Sequence, residues 1–173
     1  MNKNTLDGVW DHTRQKYGIY LRLLELIPED KLQETVIPGM RTPAQLVAHT
    51  SGGIVREVAK GIATGEIKNA PDESEVAAGL KTRAEILEFA RACWDEANAA
   101  IGSSGDEQLS ATVNTPWGMS FPGTACVHLL NDEFTHHRGQ LYAYVRACGA
   151  EPPFMWSFED NPSGFERGGG PFS

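Results

Sequence analysis

Apolar residues return at helical spacing in four separate stretches of the chain, divided by polar and turn-forming residues. In the first, residues 6–27, Trp10, Tyr17, Leu21 and Leu24 share one stripe until Pro28 ends the run. The second, residues 42–64, opens with Thr42 as N-cap and Pro43 at the first helical position, and Gly65 follows as its C-terminal cap. The third, residues 82–101, aligns Ile86, Ala90, Cys93 and Ala97 and stops at Gly102-Ser103-Ser104-Gly105. The fourth, residues 122–148, is closed by Gly149 and then Pro152-Pro153. Residues 71–75 read as an acidic connector, and residues 112–121 as a short hairpin or an irregular loop. Beyond Pro152 the chain mixes Phe154, Trp156, Phe158 and Phe165 with Gly168-Gly169-Gly170. The aromatic half is expected to pack back on the helices and the glycine end to be loose. Four long helices without a convincing set of strands predict an all-α four-helix bundle over residues 1–156, followed by a tail over 157–173.

The length of 173 residues fits a single domain that buries a core without disulfides or a structural metal. A net charge of −8 argues against nucleic acid, whose phosphates demand a basic face, and against an anionic membrane surface. Cys93, Cys126 and Cys148 are an odd count at wide spacing with no zinc-finger pattern, so reduced core thiols are expected. The first residues hold no apolar stretch of signal-peptide length, and no run is apolar enough to span a membrane. A soluble cytoplasmic protein is the expectation.

Candidate chemistry is concentrated on the fourth helix. Glu133 and His137 stand four residues apart, one turn above another on one face. The core stripe of that helix is Cys126, Leu130, Phe134, Leu141, Tyr144, Val145 and Cys148. At roughly 100° per residue His137 falls within about 20° of its centre and Glu133 within about 60°, while His136 lies about 120° away. His128 and Asp132 are farther still. An inward carboxylate and imidazole need partners, because a lone buried charge is very costly. They can hydrogen-bond each other or a core tyrosine, His137 can sit neutral, or both can share a metal ion.

A metal needs a third ligand from another helix. His12 falls on the polar side of the first helix and reads as a surface residue. His49 is the better candidate, on a stripe with Leu46, Thr50, Gly53 and Glu57, although Val47, Ile54, Val58 and Ile62 point away from it. Gly52-Gly53 in mid-helix suggest close backbone approach or a pocket.

The stretch from Thr42 to His49 and the run Glu133-Phe134-Thr135-His136-His137-Arg138-Gly139-Gln140-Leu141 together resemble the DinB/YfiT-like superfamily. His137 to Leu141 match the family's signature, and Tyr144 to Gly149 resemble its end of helix four. The resemblance implies an up-down-down-up four-helix bundle, often a homodimer, that binds zinc or nickel through three histidines. Carried over, the ligands are His49 and His137, with Glu133 where the family has its remaining histidine. Two nitrogens and one carboxylate are a competent set, and they admit iron or manganese as well. His136 is a reserve ligand, Gln140 a hydrogen-bond partner for a metal-bound imidazole, and Gly139 a site of close helix packing. Arg138 pairs with an acidic residue or anchors the dimer.

Some relatives are thiol-dependent transferases or isomerases. The resemblance therefore implies a metal-dependent transferase, isomerase or hydrolase acting on a small molecule, with a low-molecular-weight thiol as partner. Tyr17, Tyr20, Trp117 and the C-terminal aromatics are candidates for the pocket mouth, and Glu57 for a general base or a surface salt bridge. No nucleophile motif, phosphate loop or dinucleotide fingerprint is present. The alternative is a non-catalytic bundle whose metal is structural or vestigial.

Overall fold

The computed structural model describes residues 1–168, so Gly169 and Gly170 of the expected loose end lie outside the described residues. α1 (Lys3–Glu25) starts where Asn2 accepts a hydrogen bond from the Thr5 N–H. The second long stretch is continuous but not uniform. α2 (Pro43–Val47) leads into a π-helical segment (Ala48–Arg56), which leads into α3 (Glu57–Thr64). A reciprocal cap begins it: the Gln45 N–H donates to Thr42 Oγ1, and the Thr42 N–H donates to Gln45 Oε1. Gly65 ends it in the left-handed conformation, φ 84°, that a Cβ would disfavour. The acidic connector is partly helical. Asp72 accepts from the N–H groups of Ser74 and Glu75 and starts α4 (Glu73–Gly79).

α5 (Arg83–Ser103) has a reciprocal cap like that of α2, between Thr82 and Glu85. α6 (Asp106–Ser110) precedes a small antiparallel hairpin, β1 (Thr112–Asn114) with β2 (Ser120–Pro122), in the register Val113 opposite Phe121. α7 (Gly123–Ala147) is the fourth long helix. No helix among the described residues is long and apolar enough to cross a membrane.

The long helices pack around one apolar core in which α1, the π segment, α3, α5 and α7 all meet. Trp10 and Trp94 stack at 4.8 Å, and Tyr17 stacks on Phe134 at 5.5 Å. The Tyr17 hydroxyl donates to the Ala90 carbonyl, and the hydroxyls of Tyr17 and Tyr20 flank that of buried Ser51 at 2.9 and 3.0 Å. Tyr17 and Tyr20 are thus sealed in the core and line no pocket mouth, contrary to expectation.

The π segment changes the phase of the second stretch. Of the aliphatics set apart from His49, Val47, Val58 and Ile62 are buried, whereas Ile54 is only half-buried and its neighbour Val55 is in the core. A wider turn adds residues without adding rotation, so a single α-helical wheel misplaces residues within it. The close approach expected at Gly52-Gly53 occurs at Gly52, where a Cβ would stand 3.2 Å from the Phe89 ring.

Part of the C-terminal stretch folds back. Phe158 and Phe165 are buried, and the Asn161 side chain donates to the carbonyls of Gln15 and Phe165. Gly18 makes room for it, because a Cβ there would collide with the Asn161 amide. His12 is therefore half-buried, stacked against Trp156 and beside Phe158, rather than on an open polar face. Phe154, Met155 and Trp156 remain exposed. All three cysteines are free thiols; Cys93 and Cys126 are in the core as expected, whereas Cys148 is only half-buried.

Candidate metal centre

His49 on the π segment and Glu133 and His137 on α7 meet, with one ligand atom from each lying within 4.8 Å of the others. The two imidazoles are edge to face at 4.6 Å. His137 is buried, His49 partly so, and Glu133 half-exposed at 48% of its side chain. The partial exposure of His49 and Glu133 leaves the cluster reachable from solvent, as a ligand set with a free coordination position requires.

The hydrogen bonds decide which nitrogens are available. Gln140 Oε1 lies 2.9 Å from His137 Nδ1 and can only accept, so Nδ1 carries the proton. His137 Nε2 is then a buried lone pair that makes no hydrogen bond among the described residues. It faces the Glu133 carboxylate at 3.4 Å. Burial, the largest influence on His137, lowers its pKa and favours the neutral ring. A lone pair and a carboxylate in contact repel unless a cation lies between them. The donor set of two imidazoles and a carboxylate suits a divalent transition metal.

Two residues complete the site that sequence reasoning passed over. Glu73, the first residue of α4, places Oε2 3.3 Å from His49 Nδ1, and the Arg41 Nε–H donates to its other oxygen at 2.7 Å. A carboxylate on the far nitrogen of a ligand imidazole fixes its orientation and raises its basicity. The signal was available: Asp72 ahead of Glu73-Ser74-Glu75 is a helix start with acidic residues in its first turn, which turns a connector into a placed element. Burial lowers the His49 pKa first, Arg41 and His137 add to this, and Glu73 and Glu133 oppose it.

Other expected site residues stand elsewhere. His136 is outside the cluster, with Nε2 3.2 Å from Gln140 Nε2. Glu57 is ion-paired to Arg56 at 2.8 Å, the salt bridge rather than the base. Trp117 is exposed at the hairpin tip. Arg138 is buried and has no acidic partner among the described residues, and Gly139 faces open space instead of packing against a helix.

The family model of the DinB superfamily matches residues 12–141. The chain belongs to the DinB superfamily. Among solved structures, a DinB-like protein from Bacillus subtilis superposes with a TM-score of 0.68 at 21% identity, over 86% of this chain and 96% of that one. A DinB-like protein from Bacillus cereus gives 0.67 at 18%, over 85% and 94%. The mycothiol-dependent maleylpyruvate isomerase gives 0.57 at 17%, over 95% of this chain and 68% of that one. No curated protein matches the chain. At these identities the likeness to solved structures is one of fold. In this DinB-superfamily chain the signature residues divide between functions: His137 and Gln140 face the ligand cluster, whereas Arg138 and Gly139 face away from it.

The lowered imidazole pKa values predict an acid-sensitive fold. As pH falls through the ordinary histidine value of 6.5, the unfolded chain takes up protons on His49 and His137 before the folded one does. The unfolded state then binds more protons, so this contribution is complete above that value and is lost as pH falls below it. Thermal melts of metal-free protein should shift down between about pH 7 and pH 5. The shift should shrink in His137→Gln, and equal shifts in both proteins would count against the buried neutral imidazole.

Proposed function

We propose that this chain is a divalent-metal-dependent enzyme that uses a low-molecular-weight thiol in a transfer or isomerisation reaction on a small molecule. The supporting observation is the lone pair of His137 Nε2 set against the Glu133 carboxylate, with His49 alongside. The three residues fit zinc, nickel, iron or manganese. When bound, such an ion lowers the pKa of a coordinated thiol or water and polarises a carbonyl.

The chain's own residues do the rest. Gln140 accepts the His137 Nδ1 proton and thereby aims Nε2 at the site. Glu73 holds the His49 ring, and Arg41 holds Glu73. Arg41 is also close enough to both imidazoles to disfavour their protonation, so it keeps the site's nitrogens free and supplies positive charge for an anionic substrate. Glu133 is half-exposed and leaves an approach from solvent. The same reading makes the protein a cytoplasmic homodimer with up-down-down-up helix order, in keeping with the resemblance to its superfamily.

The test is spectroscopic. Cobalt-substituted protein should develop a near-ultraviolet sulfur-to-cobalt charge-transfer band on titration with a small thiol, with mycothiol, cysteine and glutathione compared. A visible spectrum indifferent to every thiol would sink the thiol reading.

A further inference from the structure

A cavity of about 540 Å³ lies between α7 and the segment C-terminal to it. This falls in the usual range for small-molecule sites, about 300–1,000 Å³. Its floor is the α7 stripe of Arg138, Gly139, Tyr142 and Arg146, and its wall includes Pro153 and Phe154. By helical position that stripe is about 180° from Glu133 and His137, so the cavity is no part of the metal centre.

Three observations point to a ligand. Arg138 is only 5% exposed, makes no hydrogen bond or ion pair among the described residues, and leaves Nη1 wholly unsatisfied. A buried guanidinium without a carboxylate is costly, and such cations are normally paired. The Tyr142 hydroxyl, close to Arg138, is likewise buried and makes no hydrogen bond among the described residues. Gly139 in mid-helix has nothing within 4 Å of where a Cβ would stand. Glycine lowers helix propensity there but keeps the cavity floor open.

The charges select the ligand's class. Arg146 lies over the Tyr142 ring at the cavity edge, and Glu151 is the acid that lines it. Lys16 and His12 approach Arg138 from α1, but Lys16 is a cation and burial lowers the His12 pKa, so neither supplies the negative charge that would neutralise it. Two arginines against one glutamate favour a single negative charge, and prolines with Phe154 favour an apolar body. We propose that this cavity binds a small organic monoanion, its acid group on Arg138 and its aryl or alkyl body against Phe154 and Pro153. The proposal stands independently of the metal reading.

Anilinonaphthalene sulfonate is the probe, with neutral phenylnaphthylamine as its uncharged counterpart. Wild-type protein should bind one sulfonate per chain, displaced by phenylbutyrate and not by phenylbutanol. Arg138→Met should weaken the sulfonate roughly 10- to 100-fold, the loss of a charge-assisted hydrogen bond, and leave the neutral probe unchanged. Gly139→Leu, which improves helix propensity and fills the floor, should abolish both. Equal sulfonate affinity in wild type and Arg138→Met would overturn the proposal. So would binding that disappears as the protein self-associates, since a second copy would then occupy the cavity. Arg138→Met should melt no lower than wild type if the guanidinium awaits a ligand, and a clear loss would reveal an internal partner and overturn it too.

Discussion

Protein carrying His137→Ala is expected to lose its bound metal, where wild type purified without an affinity tag holds about one equivalent per chain. His137 offers the only ligand nitrogen that is both buried and fixed by a hydrogen bond on its opposite side. Its removal leaves His49 and a half-exposed Glu133, too few donors for tight binding of a transition metal. Glu73→Gln should behave differently. It keeps all three ligands but removes the charge behind His49, so occupancy should survive saturation while affinity falls roughly 10- to 100-fold. Metal analysis with chelator competition separates the two outcomes. Retention of metal by His137→Ala would refute the assigned ligand set. A wild type that takes up no zinc, nickel, iron or manganese would remove the enzyme reading with it.

Phe134→Ala is expected to produce the largest loss of stability, about 3–5 kcal/mol. Phe134 is fully buried and packs its ring on Tyr17 at 5.5 Å and Tyr20 at 5.7 Å. Both tyrosines are held by the Ser51 hydroxyl, so they cannot swing into the space left behind. The cavity would persist, and its cost adds to the lost transfer energy. For a chain of this size the melting temperature should fall by roughly 6–20 °C. Phe154→Ala, at 71% exposure, is the internal control and should stay within about 0.5 kcal/mol of wild type. Similar melts for the two variants would mean that the aromatic cluster is not the keystone of the core.

The helices were legible because their ends are written in local chemistry. Thr42 with Gln45, Thr82 with Glu85, and Gly65 each act within a few residues of themselves, and each sits where the pattern placed it. The pair Glu133 and His137 was legible for the same reason, as a spacing of one turn. The unreadable part depends on residues far apart in sequence. Glu73 reaches His49 across the fold, and the C-terminal segment covers His12 and turns one side of α7 into a cavity wall. Arg138 was expected to pair with an acidic residue or anchor a dimer; no local pattern reports that no carboxylate among the described residues folds against it. Half-buried Ile54 beside buried Val55 is a separate case, since the wheel failed there through helix geometry and not through distance.

That wide turn bears on how this chain is aligned with its relatives. A π segment marks a place where one helix holds at least one more residue than an α-helix of equal rotation. A relative whose second helix is regular throughout must be aligned with a gap between residues 48 and 56. Aligned without one, either His49 or the pair Val58 and Ile62 is matched to the wrong column, and a true ligand position would be scored as lost.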